Sequence, residues 1–545
     1  MRLIQYRKTI LFLSAIILCL GFLVSCREDP PQINSIEPTI GRLGDILTIR
    51  GTGFGTERHQ SFITIAGTPP TSSAYLSWSN EEISVQVPEF GEAGLVYVHR
   101  GGQRSNPALF ANMTSMPVLA RTNIANGPRI TSIEPASGPI GSLITIHGGN
   151  FGSSRNDSGV FFSWGAEQPQ ATPAGVHQPD FVEISEAEFG YELWGDREIR
   201  VRVPDGAISG NLEVRTPRGN SQAVFFEITG RPGTKVYRDR RTYVLAYRTD
   251  IRVDRAVAPN TLFIWMPQPV VSSSQRNVRL LSRNIEPFIE NYRGTSLYQF
   301  NNTAPGDRWE IALSYAVEVY AVETNIRNQA PPRLNRPSPV RAAYVLATPL
   351  VPSNDPAIRA QATTIIAREA LPYARAQRIY NWLLTTLEFQ SAPLSGGALE
   401  ALEERTADSY RAALLFCALA RAVDIPAIPV AGVLINRQGQ TTKHFWAEFW
   451  LDGFGWVPLD PTLGAGAAPF DFNLREDHAG YYFGNMDNQR IAFSRGERFL
   501  YQMTPRGRTV QRSREFSLQN LWEEATGGLE SYSSLWSDVT ITGVY

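Results

Sequence analysis

Through the first 330 residues, apolar and polar positions alternate in short stretches. Ile46, Thr48 and Arg50 oppose Leu47 and Ile49, and Ile83, Val85 and Val87 fall on one side. The longest ladder runs from Glu310 to Val322, with Ile311, Leu313, Tyr315, Val317 and Val319 in step. A period of two sends successive side chains to opposite faces, so these stretches predict half-buried strands bounded by Gly and Pro turns. After Pro352 the period lengthens. Asp355 before Pro356 is a helix-start signal, and Ile358, Ala362, Ile365 and Ile366 supply an apolar face. A second helix from about Pro372 carries Ile379, Trp382, Leu383 and Leu387. The run after Asp408 and Ser409 is apolar nearly all round, with Ala412, Ala413, Leu414, Leu415, Phe416 and Leu419, which predicts a buried helix.

The β pattern contains a repeat. PQINSIEPTIGRLGDILTIRGTGFG from Pro31 to Gly55 recurs as PRITSIEPASGPIGSLITIHGGNFG from Pro128 to Gly152, 97 residues on and without a gap. A second block, Trp78 to Pro88, recurs as Trp194 to Pro204 at an offset of 116, so the later copy holds about nineteen extra residues near 155–190. Spaced short strands of this kind predict β-sandwiches. The segment 113–127 lacks periodicity and reads as a linker, and the Pro-rich stretch Pro331 to Pro339 closes a third β region.

At 545 residues the chain is long enough for several cores. Lys+Arg 51 against Asp+Glu 52 gives a net charge of -1, which supplies no field for nucleic acid. The only lysines are Lys8, Lys235 and Lys443. With three cysteines, Cys19, Cys26 and Cys417, a disulfide framework is excluded. Residues 1–25 read as a secretory signal, with Arg2, Arg7 and Lys8 ahead of an apolar run from about Ile10 to Val24. The LVSC ending at Cys26 resembles the bacterial lipobox, which implies a lipidated Cys26 and a stable acyl anchor in the bilayer. The expected place is the bacterial cell envelope, outside the cytoplasm, with Arg27 favouring the outer membrane.

The repeated Ser-Ile-Glu-Pro, paired glycines, Leu/Ile-Thr-Ile and Gly-x-x-Phe-Gly elements resemble IPT/TIG domains, which are immunoglobulin-like modules. Further on, Ala413, Leu415, Leu419, Arg421, Ile425, Pro426 and Ala427, then His444, Trp446 and Glu448, then Gly455, Trp456, Leu459, Asp460, Pro461 and Thr462 stand in the pattern of transglutaminase-like domains. That resemblance implies a papain-like core and extends over roughly 236–500, through YYFGNMDNQRIAFSRGE from Tyr481 to Glu497. The expected fold is multidomain: two Ig-like β-sandwiches, a further β-domain and an α+β transglutaminase-like core. The segments are a signal peptide over 1–25, modules over 31–115 and 128–229, and a β-sandwich over 236–330. The core follows over 340–475, with a C-terminal extension packed on it over 476–545.

In that register the family's catalytic cysteine falls on Ser409, its histidine on His444 and its aspartate on Asp460, while its two glycines fall on Ala407 and Asp424. Cys417 lies eight residues into the helix, about 12 Å along its axis, and cannot share a site with Ser409. A cysteine at a helix start gains thiolate character from the dipole and a histidine, whereas a serine hydroxyl depends on the histidine taking its proton. Three readings follow: an inactive binding remnant, a hydrolase or acyl transferase using Ser409, His444 and Asp460, and a Cys417-dependent enzyme. Against these stand plainer roles, with Ser409 or Asp408 as a helix cap, His444 and Asp460 as a buried polar network, and Cys417 as core. Trp446 and Trp456 are cleft candidates. His59, His99, His147 and His177 lack ligand spacing, so no metal or cofactor is expected. The expected partners are a peptide or protein at the envelope and the lipid bilayer. An adhesin built on the Ig-like pair fits the same sequence.

Overall fold

The structure is a computed structural model that describes residues 30–41, 44–59, 61–88, 94–100, 103–112, 127–165 and 181–545. The signal segment, Cys26, most of the linker and much of the expected 155–190 insertion lie outside the described residues.

The first Ig-like module has one sheet in the order Gln32–Glu37, Ile46–Thr52, Glu82–Gln86, Tyr75–Trp78. Its second sheet contains Phe62–Ile65, Gly94–Arg100 and Ala108–Asn112. The other Ig-like module repeats the first sheet with Arg129–Glu134, Leu143–Gly149, Glu198–Arg202 and Tyr191–Trp194. Even the irregularities recur: the register slips between Ile33 and Ser35 and again between Ile130 and Ser132. A close approach explains the repeated Gly-x-x-Phe. A Cβ on Gly51 would lie 1.9 Å from Gln32 O and 2.5 Å from the Phe54 ring, and one on Gly148 would meet Arg129 O at 2.0 Å and Phe151 at 2.4 Å.

The third β region is an eight-stranded sheet rather than a self-contained sandwich. Its spine is the 35-residue strand Gly233–Pro267, paired antiparallel with Arg308–Ile326 over Gly233↔Ile326 to Arg252↔Arg308. The predicted ladder is buried as expected, with Ile311 and Val317 at 0% exposure. The C-terminal extension contributes Phe483 and Leu518 to the core shared with the helix Ser409–Ala422, and it also reaches this sheet. Glu523–Trp536 and Thr540–Val544 pair with the same spine, so the chain end completes this sheet. Such pairing joins residues more than 250 positions apart, which local periodicity does not encode.

In the core, helices α1 (Pro356–Ile366), α2 (Pro372–Thr386), α3 (Ala398–Glu404) and α4 (Ser409–Ala422) precede β1 (Ala427–Ile435), β2 (Thr441–Leu451), β3 (Gly455–Leu459), the short α5 (Pro461–Gly464) and β4 (Arg490–Arg495). The sheet order is β3-β2-β1-β4, all antiparallel. One face of the sheet, with Ala431, Phe445, Ala447, Phe449 and Leu451, shares a core with α4. Val433, Ile435, Ile491 and Phe493 pack instead against the eight-stranded sheet. The opposite face, with Val430, Trp446, Trp450 and Trp456, shares its core with the 127–229 module. That module is therefore built onto the core instead of hanging from it. Arg495 joins Glu188 of the module to Glu448 on β2, and Lys235 bridges Asp205 at 2.5 Å and Trp456 O at 2.6 Å.

Candidate functional site

Helix α4 begins as the sequence predicts. Asp408 is the N-cap, accepting from Arg411 N at 2.9 Å, and Ser409 is the first helical residue. Of the two caps considered, Asp408 takes the role. Its other oxygen accepts from Leu394 N at 2.9 Å and from Arg514, whose guanidinium also lies 4.4 Å over the Tyr410 ring. The helix start is thus held by the 391–397 connection and by the C-terminal segment. At the far end Asp424 has φ 67°, the left-handed conformation in which the resembled pattern carries glycine.

The start of β2 meets the start of α4. Tyr410 and Phe445, the residues following Ser409 and His444, make an edge contact with ring centroids 4.9 Å apart. His444 stacks beside Trp446 and is 3% exposed. Its Nε2 lies 2.8 Å from Asp460 Oδ2. Facing a carboxylate, Nε2 carries the proton and Nδ1 remains as the ring acceptor. Ser409 is half-buried, and among the described residues no hydrogen bond joins it to His444.

Asp460 caps α5, accepting from Leu463 N at 3.0 Å, and is fully buried. Burial alone pushes a carboxyl up, but the charge and hydrogen bond of His444, the charge of Arg490 and the Leu463 amide outweigh it and hold Asp460 at about 2. Arg490 donates to Asp460 Oδ2 at 3.0 Å, to Asp487 Oδ2 at 2.6 Å and to Asp487 Oδ1 at 3.3 Å. It also lies 4.9 Å over the Trp446 ring.

Arg490, Asp487 and Arg514 were not singled out from the sequence. A signal for the first two exists within the quoted run: Asp487 precedes Arg490 by three residues at the mouth of the alternating strand Ile491 to Arg495. Trp446 and Trp456, expected beside the cleft, are 3% and 4% exposed. Together with Lys235, Tyr237, Arg490 and Arg495 they line a polar cavity of about 40 Å³ on the face shared with the 127–229 module. Trp446 and Trp450 fall on the face of the sheet opposite Phe445, Ala447 and Phe449, which pack against α4. Cys417 is fully buried in the α4 core, and burial pushes its thiol up to about 12, so it is packing and carries no thiolate. Among the described residues no group of three His, Cys, Asp or Glu side chains is arranged to hold a metal ion.

Two parts of the chain match known families. Residues 359–461 match the transglutaminase-like superfamily, and residues 31–111 and 128–169 match the IPT/TIG domain. The chain is 26% identical over 209 residues to an uncharacterized protein of Haemophilus influenzae, covering 33% of this chain and 56% of that one. It is 30% identical over 102 residues to a cyclomaltodextrin glucanotransferase of Paenibacillus macerans, covering 18% of this chain and 14% of that one. The chain therefore spans about half the length of the first relative and a small part of the second. A solved structure of a candidate cysteine protease from Cytophaga hutchinsonii aligns with 57% of this chain and 92% of its own, at 13% identity and a TM-score of 0.36. The chain is a multidomain protein that carries IPT/TIG domains ahead of a transglutaminase-like domain.

Proposed function

We propose that the protein is anchored in the bacterial cell envelope through Cys26 and uses its transglutaminase-like domain to bind a peptide or protein, the catalytic machinery being degenerate. The observation that carries this reading is Ser409 at the start of α4, where the transglutaminase-like pattern has its cysteine, with no hydrogen bond to His444. A hydroxyl needs a base at hydrogen-bond distance to attack an amide, because its own pKa lies far above neutrality. Cys417 offers no substitute, being fully buried. The pattern LVSC before Arg27 supports the anchor.

A second reading is an amide hydrolase or acyl transferase with Ser409 as nucleophile, His444 as base and Asp460 as orienter. It is favoured by the 2.8 Å His444–Asp460 pair, which has the arrangement of a base and its orienting carboxylate.

Binding is tested by fluorescence anisotropy with a peptide set that includes peptidoglycan stem peptides and unstructured protein segments. A peptide bound by the wild type and released in Ser409→Arg, at unchanged melting temperature, supports the reading. Peptides bound equally by both proteins would overturn it.

A further inference from the structure

Asp460 is held by a buried polar construction that includes a residue pair, Asp487 and Arg490, to which the sequence pattern assigned no role. His444 Nε2 and Arg490 Nη1 both donate to one oxygen, Asp460 Oδ2, at 2.8 and 3.0 Å, while the other oxygen accepts from Leu463 N at 3.0 Å. The carboxylate is thus held from three directions. Arg490 is itself held: Nε and Nη2 grip the two oxygens of Asp487, whose Oδ1 also accepts from Gln489 N at 2.8 Å. The side chains of Arg490, Asp460 and Asp487 are 4%, 0% and 6% exposed.

We propose that Arg490, clamped by Asp487, is a positioning residue that fixes the carboxylate of Asp460 and through it holds His444 with Nε2 protonated and Nδ1 as the acceptor. This rests on reading Ser409, His444 and Asp460 as one site. A carboxylate capped only by Leu463 N can swing about its side-chain torsions and offer His444 either oxygen or none. Two donors on one oxygen remove that freedom, and the planar fork of arginine makes the geometry specific in a way a lysine ammonium cannot. Removing Arg490 would also leave Asp460 and Asp487 as two buried carboxylates without their shared cation, which is costly.

The test reads His444 directly, by NMR of the full soluble chain with 15N-histidine. A ring N–H hydrogen-bonded to a buried carboxylate gives a low-field, exchange-protected proton signal. The signal is expected in the wild type and in Ser409→Ala, and is expected to be lost in Asp460→Ala. Arg490→Met is expected to lose or shift it, Arg490→Lys to recover it in part, and Asp487→Asn to broaden it with Arg490 intact. Should Arg490→Met fail to fold, Arg490→Lys and Asp487→Asn decide the matter. An unmoved His444 signal in those variants would overturn the role of Arg490.

A parallel measurement separates this from the site itself. Ser409→Cys should be alkylated by iodoacetamide near pH 6 at least about tenfold faster than His444→Ala/Ser409→Cys, since a paired thiol carries thiolate at lower pH. Equal rates would sink the site reading while leaving the Arg490 result to stand or fall on the spectrum.

Discussion

His444 Nε2 and Asp460 Oδ2 lie 2.8 Å apart in a pair that is 3% and 0% exposed, at the point where β2 passes the start of α5. Both residues are supplied by sequence-local signals, a strand and a Pro-started helix cap, yet their meeting depends on β2 pairing with β3 just before Asp460. The consequences of that pair, and of the contacts around it, can be measured.

Asp460 makes stability depend on acid. Its folded carboxyl sits at about 2, below an ordinary aspartate at about 3.9, so its contribution is fully present above about pH 4 and is lost as pH falls through about 2. The full contribution is about 2 kcal/mol. Thermal unfolding between about pH 4 and pH 2 should therefore be steeper in pH for the wild type than for Asp460→Asn. Parallel pH dependence in the two would contradict it.

Cys417 should be silent in the folded protein. With the thiol fully buried and pushed up to about 12, a chain starting after Cys26 should show no reaction with a thiol reagent at pH 8 until it unfolds, and then one equivalent. Cys417→Ala should keep whatever activity or binding the wild type has and cost about 1 kcal/mol for the small cavity.

Asp408 holds the helix start with three donors: Arg411 N, Leu394 N and Arg514. Asp408→Ala is expected to cost about 2 to 3 kcal/mol, roughly 1 from the cap and the rest from the partners left without an acceptor. Arg514→Ala should lower the melting temperature less, because the cap itself survives. A drop as large as that of Asp408→Ala would place the main role in the C-terminal contact.

Arg495 ties the 127–229 module to the core through Glu188 and Glu448, both mostly buried. Arg495→Met should leave two carboxylates facing each other and cost about 3 kcal/mol or more. The same change should open the module to limited proteolysis before the core unfolds. Simultaneous cleavage of both would show that the apolar core shared through Trp446, Trp450 and Trp456 suffices to hold them.

The parts of this architecture that were legible in the sequence are those written in local period and repetition. The repeat behind the two Ig-like modules, the Asp355 and Asp408 caps and the ladder through Ile311 to Val319 all follow from spacing. The parts that were not are set by long-range pairing. Glu523–Trp536 joining Gly233–Pro267, and Glu188 reaching Arg495, join segments whose own patterns are satisfied without naming a partner. Arg490 belongs to this second group. Arginine is the commonest basic residue of the chain, so the Asp487-to-Arg490 spacing at a strand start does not by itself name Asp460 as the third partner.

The measurement that tests the proposed function most directly is amide turnover by the wild type beside Ser409→Ala and Ser409→Cys, on peptide substrates with and without an added amine. The account predicts no turnover by the wild type or Ser409→Ala, and turnover appearing in Ser409→Cys. Wild-type turnover that disappears in Ser409→Ala would contradict it and make Ser409 a working nucleophile.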